Sequence, residues 1–208
     1  MAISDPFAHR YSNLRLVGRG GFGSVYRAWD AELEIDVAVK ILKPELAEDP
    51  EWRKRFRQEA TAASKLNSHR NITIILDRNE FEGQPFIVME FVEGETLARV
   101  IKNGAPFSDT ERLKLLEQLC AGLNYAHKRG IVHRDIKPVN LMVREDQDAY
   151  EARTLKILDF GIAKVVNSGQ TGTGGLGAFT PSYVSPEQVR GEEVDKRSDI
   201  FAVGAVAY

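Results

Sequence analysis

Apolar and polar positions alternate through residues 14–42, in SVYRAWD and again in DVAVKIL. This period of two predicts strands, joined by the glycine cluster GRGGFG and a charged AELEID turn. Asp49 before Pro50 reads as an N-cap followed by a first-turn proline. Trp52, Phe56, Ala60, Ala63 and Leu66 then recur at helical spacing, so a helix of about four turns is expected. ITIILD and QPFIVMEFV predict two further strands around the turn FEG, and Gly94 in VEGETL takes the chain out of the sheet. Beyond it the period lengthens: Ser108 and Glu111 form a capping box, and Leu113, Leu116, Leu119, Cys120, Leu123 and Ala126 run down one face to Gly130. Two short strands follow in LMV and LKILD, and the glycine- and hydroxyl-rich segment 168–183 is expected to move unless something holds it.

The order predicts an α+β protein in two lobes, a β-rich one with one main helix over residues 1–93 and a mainly helical one over 94–208. A chain of 208 residues with 43% hydrophobic and 28% charged residues folds around a real core. Lys and Arg number 28 against 30 Asp and Glu, so no nucleic-acid partner is expected. The single cysteine, Cys120, excludes an intrachain disulfide; its helical spacing among leucines places it in the core, and a reducing compartment fits. The start lacks an apolar signal region, and the run IFAVGAVAY is half a membrane span, so no span is expected. The chain also stops inside that apolar run without a capping signal, which reads as a C-terminal truncation.

Chemistry enters with five motifs. In GRGGFGSV, the glycines Gly18, Gly20, Gly21 and Gly23, with Phe22 and Val25, let a backbone approach phosphates closely. SVYRAWD alternates like a strand, so the glycines sit at a hairpin tip rather than before the helix that a dinucleotide fingerprint requires; an ordinary glycine turn is the alternative. Strand alternation puts Ala38 and Lys40 on one face, and Glu59 lies on the helix's apolar stripe, which suggests an inward ion pair; the plainer alternative for Glu59 is a surface glutamate at the stripe's edge. LKILDFG ends an apolar strand on Asp159 beside Phe160 and the flexible Gly161, where a lone Asp more often caps a turn. IVHRDIKPVN gathers His133, Arg134, Asp135, Lys137 and Asn140, which charge alone would explain as a solvated loop.

As an ordered set these motifs resemble the eukaryotic-like (Hanks-type) serine/threonine protein kinases, whose signature holds GxGxxGxV, a strand lysine, HRDxxxxN and DFG. Lys137 in HRDIKPVN resembles the serine/threonine type, and SYVSPEQ and RFRQEA resemble bacterial members. The resemblance implies transfer of the γ-phosphoryl group of ATP to protein Ser/Thr hydroxyls, with Asp135 orienting the hydroxyl and Lys137 neutralising charge on the phosphoryl group. It implies Asn140 and Asp159 as Mg²⁺ ligands and Lys40 on the α and β phosphates. It places adenine between Val25 and Ala38 on one side and Met142 on the other, with Met89 as gatekeeper and the backbones of Glu90 and Val92 as partners. His133 is expected to pack near Phe160. Arg134 suits a phosphate on Thr171 or Thr173, and Thr180 suits substrate contact. Protein substrates, a kinase dimer serving autophosphorylation and a cytoplasmic location follow, the last also as part of a longer membrane-anchored parent. Two departures stand out: Glu187 lacks the C-terminal arginine the family pairs with it, and HRNITIILD has no proline after its histidine. The alternative function is a truncated or pseudokinase-like ATP-binding module.

Overall fold

The computed structural model describes residues 10–145, 153–160 and 181–208. Gly161, Thr171, Thr173 and Thr180 lie outside the described residues. The chain divides into two compact units, one of residues up to 65 with 74–91, the other of residues 66–73 with 92–208.

In the first unit, β1 (Tyr11–Arg19), β2 (Gly23–Asp30), β3 (Ile35–Leu42), β4 (Ile75–Phe81) and β5 (Gln84–Glu90) form one antiparallel sheet in the order β1-β2-β3-β5-β4. Positive φ at both Glu82 (46°) and Gly83 (79°) makes the two-residue turn that matches the twist of β4 and β5. Alternation along β3 sorts the core. Val37, Val39 and Ile41 pack with Tyr11, Ala28, Phe86 and Val88, whereas Leu42 on the other face joins Phe56, Ala60 and Ile87. That second face is covered by α2 (Pro50–Ser64), preceded by the short α1 (Pro44–Ala47). The α2 start is set as expected: the Asp49 carboxylate accepts from Glu51 N–H at 2.8 Å with Pro50 in the first turn.

The strand expected at ITIILD begins later, at Ile75. Ile72 forms a parallel bridge to Ile157 in the second unit, and Thr73 donates to the Ile157 carbonyl from both its N–H (3.0 Å) and Oγ1 (2.9 Å). Those bonds, with Ile72 N–H donating to the His69 carbonyl at 3.0 Å, satisfy the amides of residues 72–73 away from the first sheet.

The second unit holds a small sheet of β6 (Glu95–Thr96), β7 (Leu141–Glu145) and β8 (Arg153–Ile157), with α3 (Leu97–Lys102) and α4 (Asp109–His127). The capping box forms as predicted, Ser108 Oγ accepting from Glu111 N–H and the Glu111 carboxylate accepting from Ser108 N–H. The buried face of α4 is Leu115, Gln118, Leu119, Gly122, Leu123 and Ala126. Leu113 and Cys120 are exposed, against the expected core stripe. Gly122 explains the rotation: an added Cβ would lie 2.7 Å from Ile157 Cδ1, so the helix meets β8 at its smallest residue. Cys120 stands two residues before it, about 200° around the helix. Asn71 and Gln118 tie the layers together: Asn71 Nδ2 donates to Gln118 Oε1 (3.0 Å) and the Leu155 carbonyl (2.8 Å), and Leu155 N–H donates to Gln118 Oε1 (2.7 Å). α5 (Pro186–Arg190) and α6 (Lys196–Ala207) complete the described part. Among the described residues no helix is long and apolar enough to cross a membrane.

Candidate active site

The first unit contributes a loop and an ion pair. Gly18 to Gly23 form the β1–β2 hairpin tip that the strand pattern required, with Gly20 N–H donating to the Gly23 carbonyl at 2.8 Å. Register places Val25 opposite Lys40, and Ala38 opposite the buried Met89. Lys40 shares the Leu42 face of β3, and its Nζ donates to Glu59 Oε1 on α2 at 2.9 Å; the side chains are 13% and 7% exposed. Glu59 is therefore an inward residue, not a stripe-edge one, because a buried carboxylate is kept only with a partner. At the end of β5, Glu90 donates its N–H to the Ile74 carbonyl (3.0 Å) and accepts from Ile74 N–H on Oε1 (2.8 Å).

The second unit gathers the polar residues of IVHRDIKPVN into one network. Ile131 and Ile136 are buried and pin the segment, and Pro138–Asn140 close it with a 3-10 turn. Asn140 Nδ2 donates to the Asp135 carbonyl (2.8 Å) and to Asp135 Oδ2 (3.0 Å), and Lys137 Nζ lies 3.1 Å from the same Oδ2. The Asn140 carbonyl accepts from Leu158 N–H at 2.9 Å, which joins the segment to the residue before Asp159. Met142 follows on β7, partly buried and opposite Lys156. Val92 begins the second stretch of this unit, 92–208, and is partly buried.

His133 is wholly buried, as expected, with its ring 4.7 Å from that of Phe160. Its Nδ1 accepts from Asp135 N–H (3.2 Å) and its Nε2 faces the Leu158 carbonyl (2.9 Å), so the ring carries its proton on Nε2. Arg134 (φ 66°) and Asp159 (φ 46°) are the non-glycine residues with positive φ among the described residues of this unit. Both flank the network, where such backbone strain is held by surrounding bonds. Burial pushes the Arg134 guanidinium below its ordinary value, with Asp199 opposing the shift.

Asp199, on α6 and outside the five motifs, is the main support of this segment. It is 1% exposed and accepts from Arg134 N–H (2.8 Å) on Oδ1, and from His133 N–H (2.9 Å) on Oδ2, which also lies 2.7 Å from His127 Nε2. The available signal was a carboxylate on the apolar side of α6, one turn before the buried Ala202. Gln188, also missed, donates from Nε2 to the Arg134 carbonyl at 2.9 Å. Glu187 is not left unpaired: it accepts from the Ser198 hydroxyl, and that bond holds its carboxyl below the usual range.

Chemically, the second unit offers a carboxylate flanked by an ammonium and an amide, plus a second carboxylate at a strand end. Among the described residues no group of three or more His, Cys, Asp or Glu could enclose a metal. Asn140 turns its Nδ2 to Asp135, which leaves Oδ1 as the ligand atom of its amide. One amide oxygen and the Asp159 carboxylate fit a hard cation that keeps waters and takes phosphate oxygens, as Mg²⁺ does.

Residues 11–208 match the protein kinase domain family. The serine/threonine-protein kinase PknB of Mycolicibacterium smegmatis is 38% identical over 214 residues, covering 100% of this chain and 33% of that protein. The serine/threonine-protein kinase pkn3 of Myxococcus xanthus is 38% identical, covering 99% of this chain and 38% of its own length. The chain thus spans about a third of the length of these curated relatives. Among solved structures, the Mycobacterium tuberculosis PknI kinase domain superposes with a TM-score of 0.72 at 31% identity, covering 96% of this chain and 73% of that one. The chain belongs to the protein kinase domain family, among its bacterial eukaryotic-like serine/threonine members.

Proposed function

We propose that the protein transfers the γ-phosphoryl group of ATP to Ser and Thr hydroxyls of protein substrates. The observation that carries this reading is Asp135 Oδ2, held by Asn140 Nδ2 at 3.0 Å and Lys137 Nζ at 3.1 Å. Asp135 orients the incoming hydroxyl and takes its proton, and Lys137 balances charge that develops on the transferred group. Lys40, fixed by Glu59, binds the α and β phosphates, while the loop of Gly18, Gly20, Gly21, Phe22 and Gly23 presents backbone amides to them. Asn140 and Asp159 hold Mg²⁺, which supplies charge neutralisation of the phosphate oxygens when bound. Adenine stacks on Val25, Ala38 and Met142 beside Met89. Glu90 serves through its carbonyl, since its N–H is donated to Ile74, and Val92 through its backbone.

Use of ATP places the protein in the cytoplasm, alone or as the cytoplasmic part of a membrane-anchored parent. Thr171 and Thr173 are the proposed autophosphorylation sites, modified by a second copy of the chain and read by Arg134, with Thr180 toward substrate. An ATP-binding module without transfer has no support, since Lys40, Glu59, Asp135, Asn140 and Asp159 are all in place.

The test is phosphate incorporation into a Ser/Thr peptide with Mg²⁺ and ATP. Asp135→Asn is expected to lower turnover by about 100- to 10,000-fold. Lys40→Met is expected to reduce turnover severely, with both variants melting as cooperatively as the parent. Undiminished turnover in either sinks the assigned role.

A further inference from the structure

Phe22 is the large apolar side chain of the GRGGFG loop, and its ring packs on Trp52 of α2 with centroids 5.1 Å apart and planes inclined by 33°. The loop backbone is fixed next to that contact, with Lys43 N–H donating to the Phe22 carbonyl at 3.0 Å. The Arg55 guanidinium also lies over the Trp52 ring, its carbon 5.3 Å from the centroid. Trp52 and Glu59 are both on α2, about two turns apart and so on the same side of the helix. One helix therefore carries both the carboxylate that holds Lys40 and the ring that receives the loop tip.

We propose that Trp52 is a positioning residue for nucleotide: through Phe22 it keeps the tip of the glycine-rich loop on the helix that bears Glu59. Loop order and the Lys40–Glu59 pair are then set together. A glycine-rich loop has much backbone freedom to lose when it closes on phosphates. A loop already held on α2 loses less, and the difference appears as tighter nucleotide binding. The inference rests on the phosphate-binding reading of the loop and adds to it a residue outside the motif.

The chain has two tryptophans, Trp29 and Trp52. Trp29→Phe, on β2 and outside the catalytic and binding groups, leaves Trp52 as the reporter. In that variant, titration with Mg²⁺ and ATP is expected to change Trp52 emission saturably. Adding Phe22→Ala is expected to abolish the change while calorimetry still detects nucleotide. In steady-state kinetics, Trp52→Ala raises KM for ATP by about 2- to 12-fold, the range an aromatic pair supplies. Its kcat stays within about twofold, and Trp52→Phe restores KM. An emission change that survives Phe22→Ala, an unaltered KM in a folded Trp52→Ala, or no restoration by Trp52→Phe overturns the inference. Nucleotide binding without any Trp52 response overturns it alone, whereas no nucleotide binding at all removes the phosphate-binding reading and this inference with it.

Discussion

A carboxylate presents about four lone-pair sites, and Asp199 uses them on two consecutive backbone amides and a histidine ring, all arriving from residues 65 to 72 positions earlier. Asp199→Asn keeps the shape but turns an NH₂ toward groups that are themselves donors. One buried N–H is then left without an acceptor, which costs roughly 1.5 to 3 kcal/mol for a bond to a charged group. The expected result is a lower urea midpoint at an unchanged slope, together with loss of turnover. A midpoint equal to the parent's would show that the carboxylate does not hold the segment. At this scale the sequence was legible where residue type and local spacing decide the matter. Glu59 faced inward because its position lay on an apolar stripe, and Lys40 shared a strand face with Ala38. Asp199 was not legible in the same way, since its partners are distant in the chain and no local pattern announces a carboxylate that accepts from a remote backbone. Cys120 misled for a related reason. Helical spacing gave the period of α4 but not its phase, which Gly122 and Gln118 set by their packing on β8 and Asn71.

At the scale of elements, the glycine cluster has two separable physical causes. A Cβ at Gly23 would lie 2.3 Å from the Ile41 carbonyl oxygen, where β2 and β3 pair Gly23 with Leu42. Gly21 has nothing within 4 Å of its Cβ position, and the nearest atom at Gly20 is the Gly23 carbonyl oxygen at 3.7 Å. Gly23→Ala is therefore expected to destabilise the first unit by about 1 to 3 kcal/mol, as overpacking does, since main chain cannot rotate aside. Gly21→Ala should leave the melting temperature unchanged and act only on KM for ATP. Equal melting temperatures for the two variants would place both glycines in the loop's phosphate role. The motif reading treated all these glycines alike, because a pattern of GxGxxG carries no distance to the neighbouring strand. Capping signals were more informative: Asp49 with Pro50 and Ser108 with Glu111 set the starts of α2 and α4 where the sequence put them, since a cap acts within one turn. The start of β4 escaped, because Ile72 and Thr73 have strand-forming side chains, yet Thr73 N–H donates to the Ile157 carbonyl on β8 and Ile72 N–H to the His69 carbonyl.

At the scale of the whole molecule, the order of motifs was legible because phosphoryl transfer prescribes the residue types, and long-range packing was not, because it leaves no period in the chain. Residues 66–73 show this: they follow α2 directly in sequence yet count with the second unit through Asn71 and Thr73. The proposed ligand offers a test that reads the entire fold at once. A ligand that binds only the folded state stabilises it by RT ln(1 + [L]/Kd), about 2.7 kcal/mol at a hundredfold excess over Kd. For a chain of this size that is a rise in melting temperature of roughly 5 to 11 °C. Magnesium removal by EDTA should take away most of the rise, because Asn140 and Asp159 present oxygens alone and repel phosphate without a cation between them. Asp159→Asn should lose the ATP-dependent rise while melting, without nucleotide, near the parent's temperature, and Lys40→Met should lose it from a lower starting temperature, since the buried Glu59 carboxylate loses its ammonium. A rise of the same size in EDTA would mean that nucleotide is held by cationic side chains and backbone amides without a metal, and the assignment of Asn140 and Asp159 would fall.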